Sequence, residues 1–216
     1  MKDEKDKFLL QILIGEIGYH VESAEKAYLD YLTARKRLSD PTFIEGRPSV
    51  GEVFRCLHSF LNHCVLICNI LFPIQKQVKF AETADEKEEI RESNKRKAYR
   101  KKLLKKYIKE GGLLDPLRAI RNRFEHFDED LDEWIATTKH SIYMSRNIFD
   151  NTALSKAIKI GDIPAKKLEK EIQPFAYIEN NTLKYWGKQY DIEKAYNALV
   201  KLEGEVKQLD LRNRLI

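Results

Sequence analysis

The chain has 216 residues, 43% of them hydrophobic and 34% charged, with a formal net charge of +5 and a sequence pI near 8.9. That length holds one main domain with an appendage and leaves no room for two ordinary domains and a linker. The apolar share excludes global disorder, and the moderate basic excess favours a polyanionic partner without identifying one.

Met1 to Lys7 is charged from the start and lacks the basic, apolar, small-residue order of a secretory signal, so export is not expected and a cytoplasmic location is. From Leu10 the apolar residues recur as Leu10, Ile14, Ile17, Val21, Ala24, Tyr28 and Tyr31, the alternating steps of four and three of a bundle helix. Gly15 and Gly18 lie inside this first helix, and the turn chemistry of Ser39-Asp40-Pro41 ends it. After a loop to Pro48, Ser49 is placed to cap a second helix carrying Val50, Phe54, Leu57, Leu61, Val65 and Cys68, which must stop before Pro73. The two are expected to be antiparallel neighbours. The most apolar run, Cys64 to Pro73, is about half the length needed to cross a bilayer and reads as a buried helix end, so no membrane partner is expected.

Cys56, Cys64 and Cys68 fall along one side of that second helix, where disulfides cannot join them comfortably, and are expected to be reduced and packed as small hydrophobes. A zinc site built from Cys64, Cys68 and His63 is the alternative, but it lacks a fourth ligand, and His63 sits about 100° round the helix from Cys64. No metal and no cofactor are therefore expected. His20, His58, His63 and His140 show no partner pattern and read as structural.

Gln75 to Asn94 is polar and charged, and reads as a solvated loop or weak helix. A third helix, about Lys95 to Lys109, is expected to bury Tyr99, Leu103, Leu104, Tyr107 and Ile108 and to end at Gly111-Gly112. Its many basic side chains, among them Lys97, Arg100, Lys101 and Lys105, could hold a nucleic-acid backbone by sequence-independent contacts. Asp115-Pro116 then signals the start of a fourth helix, expected to run to about Thr138 through Leu117, Ile120, Phe124, Phe127, Leu131 and Trp134. After His140 the pattern changes to short segments rich in Tyr, Ile and Phe. Ser141 to Phe149, Phe175 to Glu179 and Leu183 to Tyr190 are expected to form a small β unit turning at Asn180-Asn181, and Asp191 to open a last helix carrying Ile192, Tyr196, Leu199, Leu202, Val206 and Leu209. The expected architecture is mainly α, an antiparallel helical bundle over residues 1–140 followed by a β hairpin unit and terminal helix over 141–216 packed on it.

On a wheel of about 100° per residue, Arg118, Asn122, Glu125, His126 and Glu129 lie opposite the apolar seam of the fourth helix, and Arg121 and Arg123 lie on its shoulders. The four-residue spacings let Asn122 orient the His126 imidazole and Glu125 orient the Arg121 guanidinium, while Glu129 and Asp130, one turn on, favour the protonated imidazole. A proton-transfer group thus stands beside an anion binder.

Arg121-Asn122-Arg123-Phe124-Glu125-His126 resembles the R-N-x-x-x-H signature of the HEPN superfamily of helical bundles. The resemblance covers the bundle up to His140 and leaves out the segment after it. It implies metal-independent cleavage of RNA by a toxin-like or defence-like endoribonuclease. Arg121 would bind phosphate, Asn122 would orient, His126 would serve as acid/base, Glu125 and Glu129 would support them, and Lys97, Arg100, Lys101, Lys105 and Arg118 would bind RNA. Arg123 could replace Arg121 on geometry alone, but the pattern favours Arg121. The implied partners are RNA, a second copy of the chain completing the site, and an antitoxin or regulatory protein. The alternative within the family is a non-catalytic module that binds a protein partner, as an antitoxin does, or senses a nucleotide.

Overall fold

The computed structural model describes residues 2–40, 42, 48–126, 129, 132, 136, 147–149, 177–185 and 188–214. These are mainly helical. The helices are α1 (Lys2–Ser39), α2 (Val50–Leu71), α3 (Ala84–Leu104), α4 (Leu117–Glu125) and α5 (Ile192–Arg214). One sheet has the order β1 (Asn147–Phe149), β2 (Tyr177–Glu179), β3 (Thr182–Tyr185) and β4 (Lys188–Asp191). The strands β2, β3 and β4 are antiparallel neighbours, and β1 joins β2 in parallel.

The apolar stripes read from the sequence of α1 and α2 are the buried ones. Leu10, Ile14, Ile17, Val21, Ala24, Tyr28 and Tyr31 are buried on α1, and Phe54, Leu57, Leu61, Val65 and Cys68 on α2, where Val50, at the helix start, is half-buried. The Ser49 hydroxyl accepts the backbone N–H of Glu52 at 3.1 Å, satisfying one of the donors a helix start leaves open. By length and composition α2 could cross a membrane, yet half of its most apolar window is buried inside the protein, as in a core helix. Cys64 and Cys68 are fully buried and Cys56 partly so; burial, with Cys68 adding to it, pushes the Cys64 thiol well above its ordinary pKa.

The chain divides into two compact units. The first comprises residues 1–26, 60–115 and 197–216, the second residues 27–59 and 116–196. In the first, the imidazoles of His20 and His63 meet, and the backbone N–H groups of Lys109 and Glu110 both donate to the Glu205 carboxylate at 3.0 Å. Burial, and then His20, lower the pKa of His63. In the second, the Tyr28 and Tyr196 rings stack at 4.0 Å and 13°, and Arg35 donates to the Tyr31 hydroxyl and to the Asn181 side chain. In the first unit, therefore, His20 of α1 stands against His63 of α2.

Two helices differ from the sequence reading. α3 starts at Ala84, eleven residues before the expected Lys95, because Thr83 and Glu86 form a reciprocal capping box and Asp85 and Glu86 lie at the positive end of the helix dipole. Its buried residues are Leu103 and Leu104, whereas Tyr99 and Tyr107, expected inside, are 40% and 43% exposed. α4 is entered through the 3-10 turn Gly112–Leu114, with Pro116 rather than Asp115 at its N-cap, and ends at Glu125 instead of continuing unbroken to Thr138. His126 is its C-cap, with φ −100° and ψ 35°, and Glu129, Asp132 and Ala136 are helical again. The expected seam residues Phe127, Leu131 and Trp134, together with Asp130, His140 and the strand residues 141–146 and 175–176, lie outside the described residues.

The hairpin is the one expected. Asn180 and Asn181 adopt φ 47° and 63°, the left-handed pair that a two-residue turn between twisted strands requires and that Asn tolerates. The single segment expected over Leu183 to Tyr190 is two strands, β3 and β4, paired with each other. Asp191 caps α5 by accepting the backbone N–H of Lys194 at 2.8 Å, and Ile192, Leu199, Leu202, Val206 and Leu209 are buried as the spacing predicts.

Two glycines respond oppositely to a methyl group. Gly111 has φ 106°, and an added Cβ would stand 2.6 Å from Leu71 Cδ1, whereas Gly15, inside α1, has open space. Gly111→Ala is expected to destabilise the fold by more than about 1 kcal/mol, and Gly15→Ala to stabilise it by roughly 0.5–1 kcal/mol. Denaturant melts of the two variants against the parent chain check both signs.

Candidate active site

α4 is short, and its position in the second unit is set from two sides. Leu117 and Ile120 are buried, and the hydroxyl of the buried Tyr185 on β3 donates to the Arg123 backbone carbonyl at 3.2 Å. Tyr190, on β4, also lies close to Arg123. Burial raises its pKa and the guanidinium opposes the rise. The sheet thus supports the helix beside the Arg-Asn-Arg run, although it lies outside the HEPN resemblance.

The described contacts at the end of α4 form two pairs. Arg121 is half-buried and ion-paired to Glu125 one turn on, and its Nη1 is 3.5 Å from the Asn122 Oδ1, at the outer limit of a hydrogen bond. His126 is exposed, and its Nδ1 lies 2.9 Å from Glu129 Oε1. A proton on Nδ1, held by that carboxylate, leaves the lone pair of Nε2 facing outward as a base.

This revises one expectation. Asn122 does not orient the imidazole through its amide: its backbone carbonyl accepts the His126 N–H at 3.0 Å, and its side-chain oxygen faces Arg121. The reason is the helix end. At φ −100° and ψ 35° the backbone leaves the helical path at His126, and the ring meets Glu129 ahead of it rather than Asn122 behind it. Glu125 therefore meets Arg121, and Glu129 meets His126.

The residues expected to bind RNA separate into kinds. Lys97 Nζ donates to the Ile74 carbonyl and Arg100 Nη2 to the Asn69 carbonyl, both at 2.9 Å. Asn69 lies in the last turn of α2, so Arg100 satisfies a carbonyl that the helix end leaves open, and the two cations hold the α2 terminus. Lys101 and Lys105 are exposed, and Arg118 is half-buried with its Nε shielded from solvent. α3 belongs to the first unit and α4 to the second. Among the described residues no group of three or more His, Cys, Asp or Glu is placed to hold a metal ion.

The pairing of His20 with His63 is not legible in the sequence. The two lie 43 residues apart on different helices, and only tertiary packing within the first unit brings them together. The stacking of Tyr28 on Tyr196 is hidden in the same way.

No family profile, no curated protein and no solved structure matches the chain.

Stability separates the support of the site from its reactive groups. Tyr185→Phe removes a buried donor and leaves the Arg123 carbonyl without it, and is expected to cost about 0.5–1.5 kcal/mol. His126→Ala removes an exposed group whose contact with Glu129 is worth well under about 1 kcal/mol and should leave the thermal midpoint nearly unchanged. Thermal melts followed by circular dichroism measure both.

Proposed function

We propose that the chain is an endoribonuclease of the HEPN kind, toxin-like or defence-like, acting in the cytoplasm on RNA. The observation that carries this reading is the end of α4, where a guanidinium and an imidazole within one R-N-x-x-x-H run are each held by a separate carboxylate, Glu125 and Glu129. His126 Nε2 takes the proton of a ribose 2′-hydroxyl, the oxygen attacks the adjacent phosphorus, and the 5′-oxygen leaves and takes up a proton. Arg121 stabilises the charge that builds on the phosphate oxygens, exchanging Glu125 for substrate as it does so. The products are a 2′,3′-cyclic phosphate and a 5′-hydroxyl end. DNA has no 2′-hydroxyl and is not cut.

Cleavage by this route needs two proton transfers. Among the described residues the end of α4 presents one imidazole, His126, and it turns to Glu129 while Arg121 pairs with Glu125. A symmetric homodimer supplies the second imidazole. The polar face read for the fourth helix carries both charge signs, with Arg118 against Glu125 and Glu129, as a two-fold interface requires of a surface that pairs with itself.

A second reading, a non-catalytic module that binds a partner protein or a nucleotide, is favoured by one observation: the Arg121 charge is already neutralised by Glu125.

Incubation of the purified protein with total RNA distinguishes the two readings. Cleavage is expected to persist in EDTA and to leave cyclic phosphate ends, and His126→Ala and Arg121→Ala are each expected to reduce it about 100-fold or more. Intact RNA, or activity lost on chelation, would sink the mechanism. Light scattering and specific activity across a dilution series test the shared site. Activity per chain should fall as the dimer dissociates, and a monomer equally active at every concentration rules the dimer out.

A further inference from the structure

His20 on α1 and His63 on α2 take no part in the RNA-cleaving reading, and they belong to the first compact unit, whereas α4 belongs to the second. Their Nδ1 atoms are 3.2 Å apart and their ring centroids 5.4 Å apart, so the two rings face each other nitrogen to nitrogen. Two imidazole nitrogens hold this separation only with a positive centre between their lone pairs. A proton, donated by one ring and accepted by the other, is one such centre. A metal ion is another. At bond lengths of about 2.0–2.1 Å, two nitrogens on one tetrahedral cation stand about 3.3–3.4 Å apart, within a few tenths of an ångström of the separation here.

The surroundings suit a cation of this kind. Both rings are half-buried, flanked on their own helices by the buried Ile17, Val21, Leu61 and Cys64, so they are held in place yet open to solvent on one side. Tyr19 sets its edge toward both rings, at centroid distances of 5.2 and 6.4 Å, and is itself 61% exposed. From Cys56 to Leu71, α2 carries no Asp, Glu, Lys or Arg, so from that helix no ammonium competes for the lone pairs and no carboxylate takes the ring protons. The Cys64 thiol beside His63 is fully buried in the core. With no three-ligand group among the described residues, the remaining coordination positions belong to water.

We propose that His20 and His63 form a two-histidine clip for a borderline divalent cation of the zinc class, which takes the place of the shared proton and ties α1 to α2. Imidazole selects zinc, nickel or copper over magnesium and calcium, whose preference is for oxygen. The paired geometry exists only in the folded chain, so tighter binding there shows as stability.

The test is thermal melting of the full chain near pH 7.5 in about 0.5 mM zinc chloride, with magnesium chloride as the control. Zinc is expected to raise Tm by about 2–4 °C, magnesium to leave it unchanged, and EDTA to reverse the shift. His20→Gln and His63→Gln are each expected to abolish it. No shift in the parent chain, or a shift kept in both variants, would overturn the proposal. Should a variant fail to fold, nitrogen-15 spectra of histidine-labelled parent protein decide the matter. The clip requires zinc to move the Nδ1 resonances of His20 and His63, and movement of other histidines alone, or of none, refutes it.

Discussion

The stretch from Cys56 to Leu71 contains no Asp, Glu, Lys or Arg and has to be kept from water, and much else in the chain depends on that. Leu57, Phe60, Leu61, Cys64, Ile67 and Cys68 are all but fully buried there, each apolar side chain contributing about 1.5–3 kcal/mol on removal from water. A helix buried this deeply has a difficult end, because the carbonyls of its last turn have no partners within the helix. Arg100 supplies one, Lys97 reaches the carbonyl of Ile74 just beyond, and Asn94 holds the Lys76 backbone from both sides, donating to its carbonyl and accepting its N–H. Gly111 then passes so close to Leu71 that a side chain there has no room. α3, with few apolar residues of its own, holds the place where α2 stops.

That division of labour explains what could be read from the residues and what could not. α1, α2 and α5 bury broad stripes, and a three-four alternation such as Leu10-Ile14-Ile17-Val21 identifies the stripe directly. α3 buries only Leu103 and Leu104 and is held by its capping box and by short-range ion pairs such as Glu92–Lys95. Charge alone makes such a segment look like solvated loop. Its start was nevertheless written in the sequence, as Thr83 followed three residues later by Glu86. The basic side chains of α3 look interchangeable in one dimension. Which of them meet carbonyls at the α2 terminus depends on tertiary placement that no local pattern contains. α4 misleads for the opposite reason: its apolar alternation continues past the point where the backbone turns, so periodicity carries the helix through His126.

At the candidate site, the residue types and their spacing were legible and the pairing only half so. Arg121 and Glu125 meet as an i, i+4 pair should, while the break at His126 transfers the imidazole from Asn122 to Glu129. Two separate carboxylate contacts differ from one connected network. Each of the two side chains is oriented without the other.

Both compact units are assembled from distant parts of the chain, and this bears on how the protein comes to be folded. Residues 1–26 belong with 197–216, and residues 27–59 with 116–196. A chain emerging from the ribosome from its N-terminus therefore completes the second unit only with the first turn of α5 and the first unit only with the rest of that helix. For most of synthesis the face of α1 that carries Tyr28 lacks Tyr196, the ring it stacks on, which arrives 168 residues later. Long loops must close before their contacts give any return, which slows folding and leaves apolar surface open in the interval. Until α5 is made, the places on α1 that Tyr196 and Val206 cover, at Tyr28 and at Gly18, stand open.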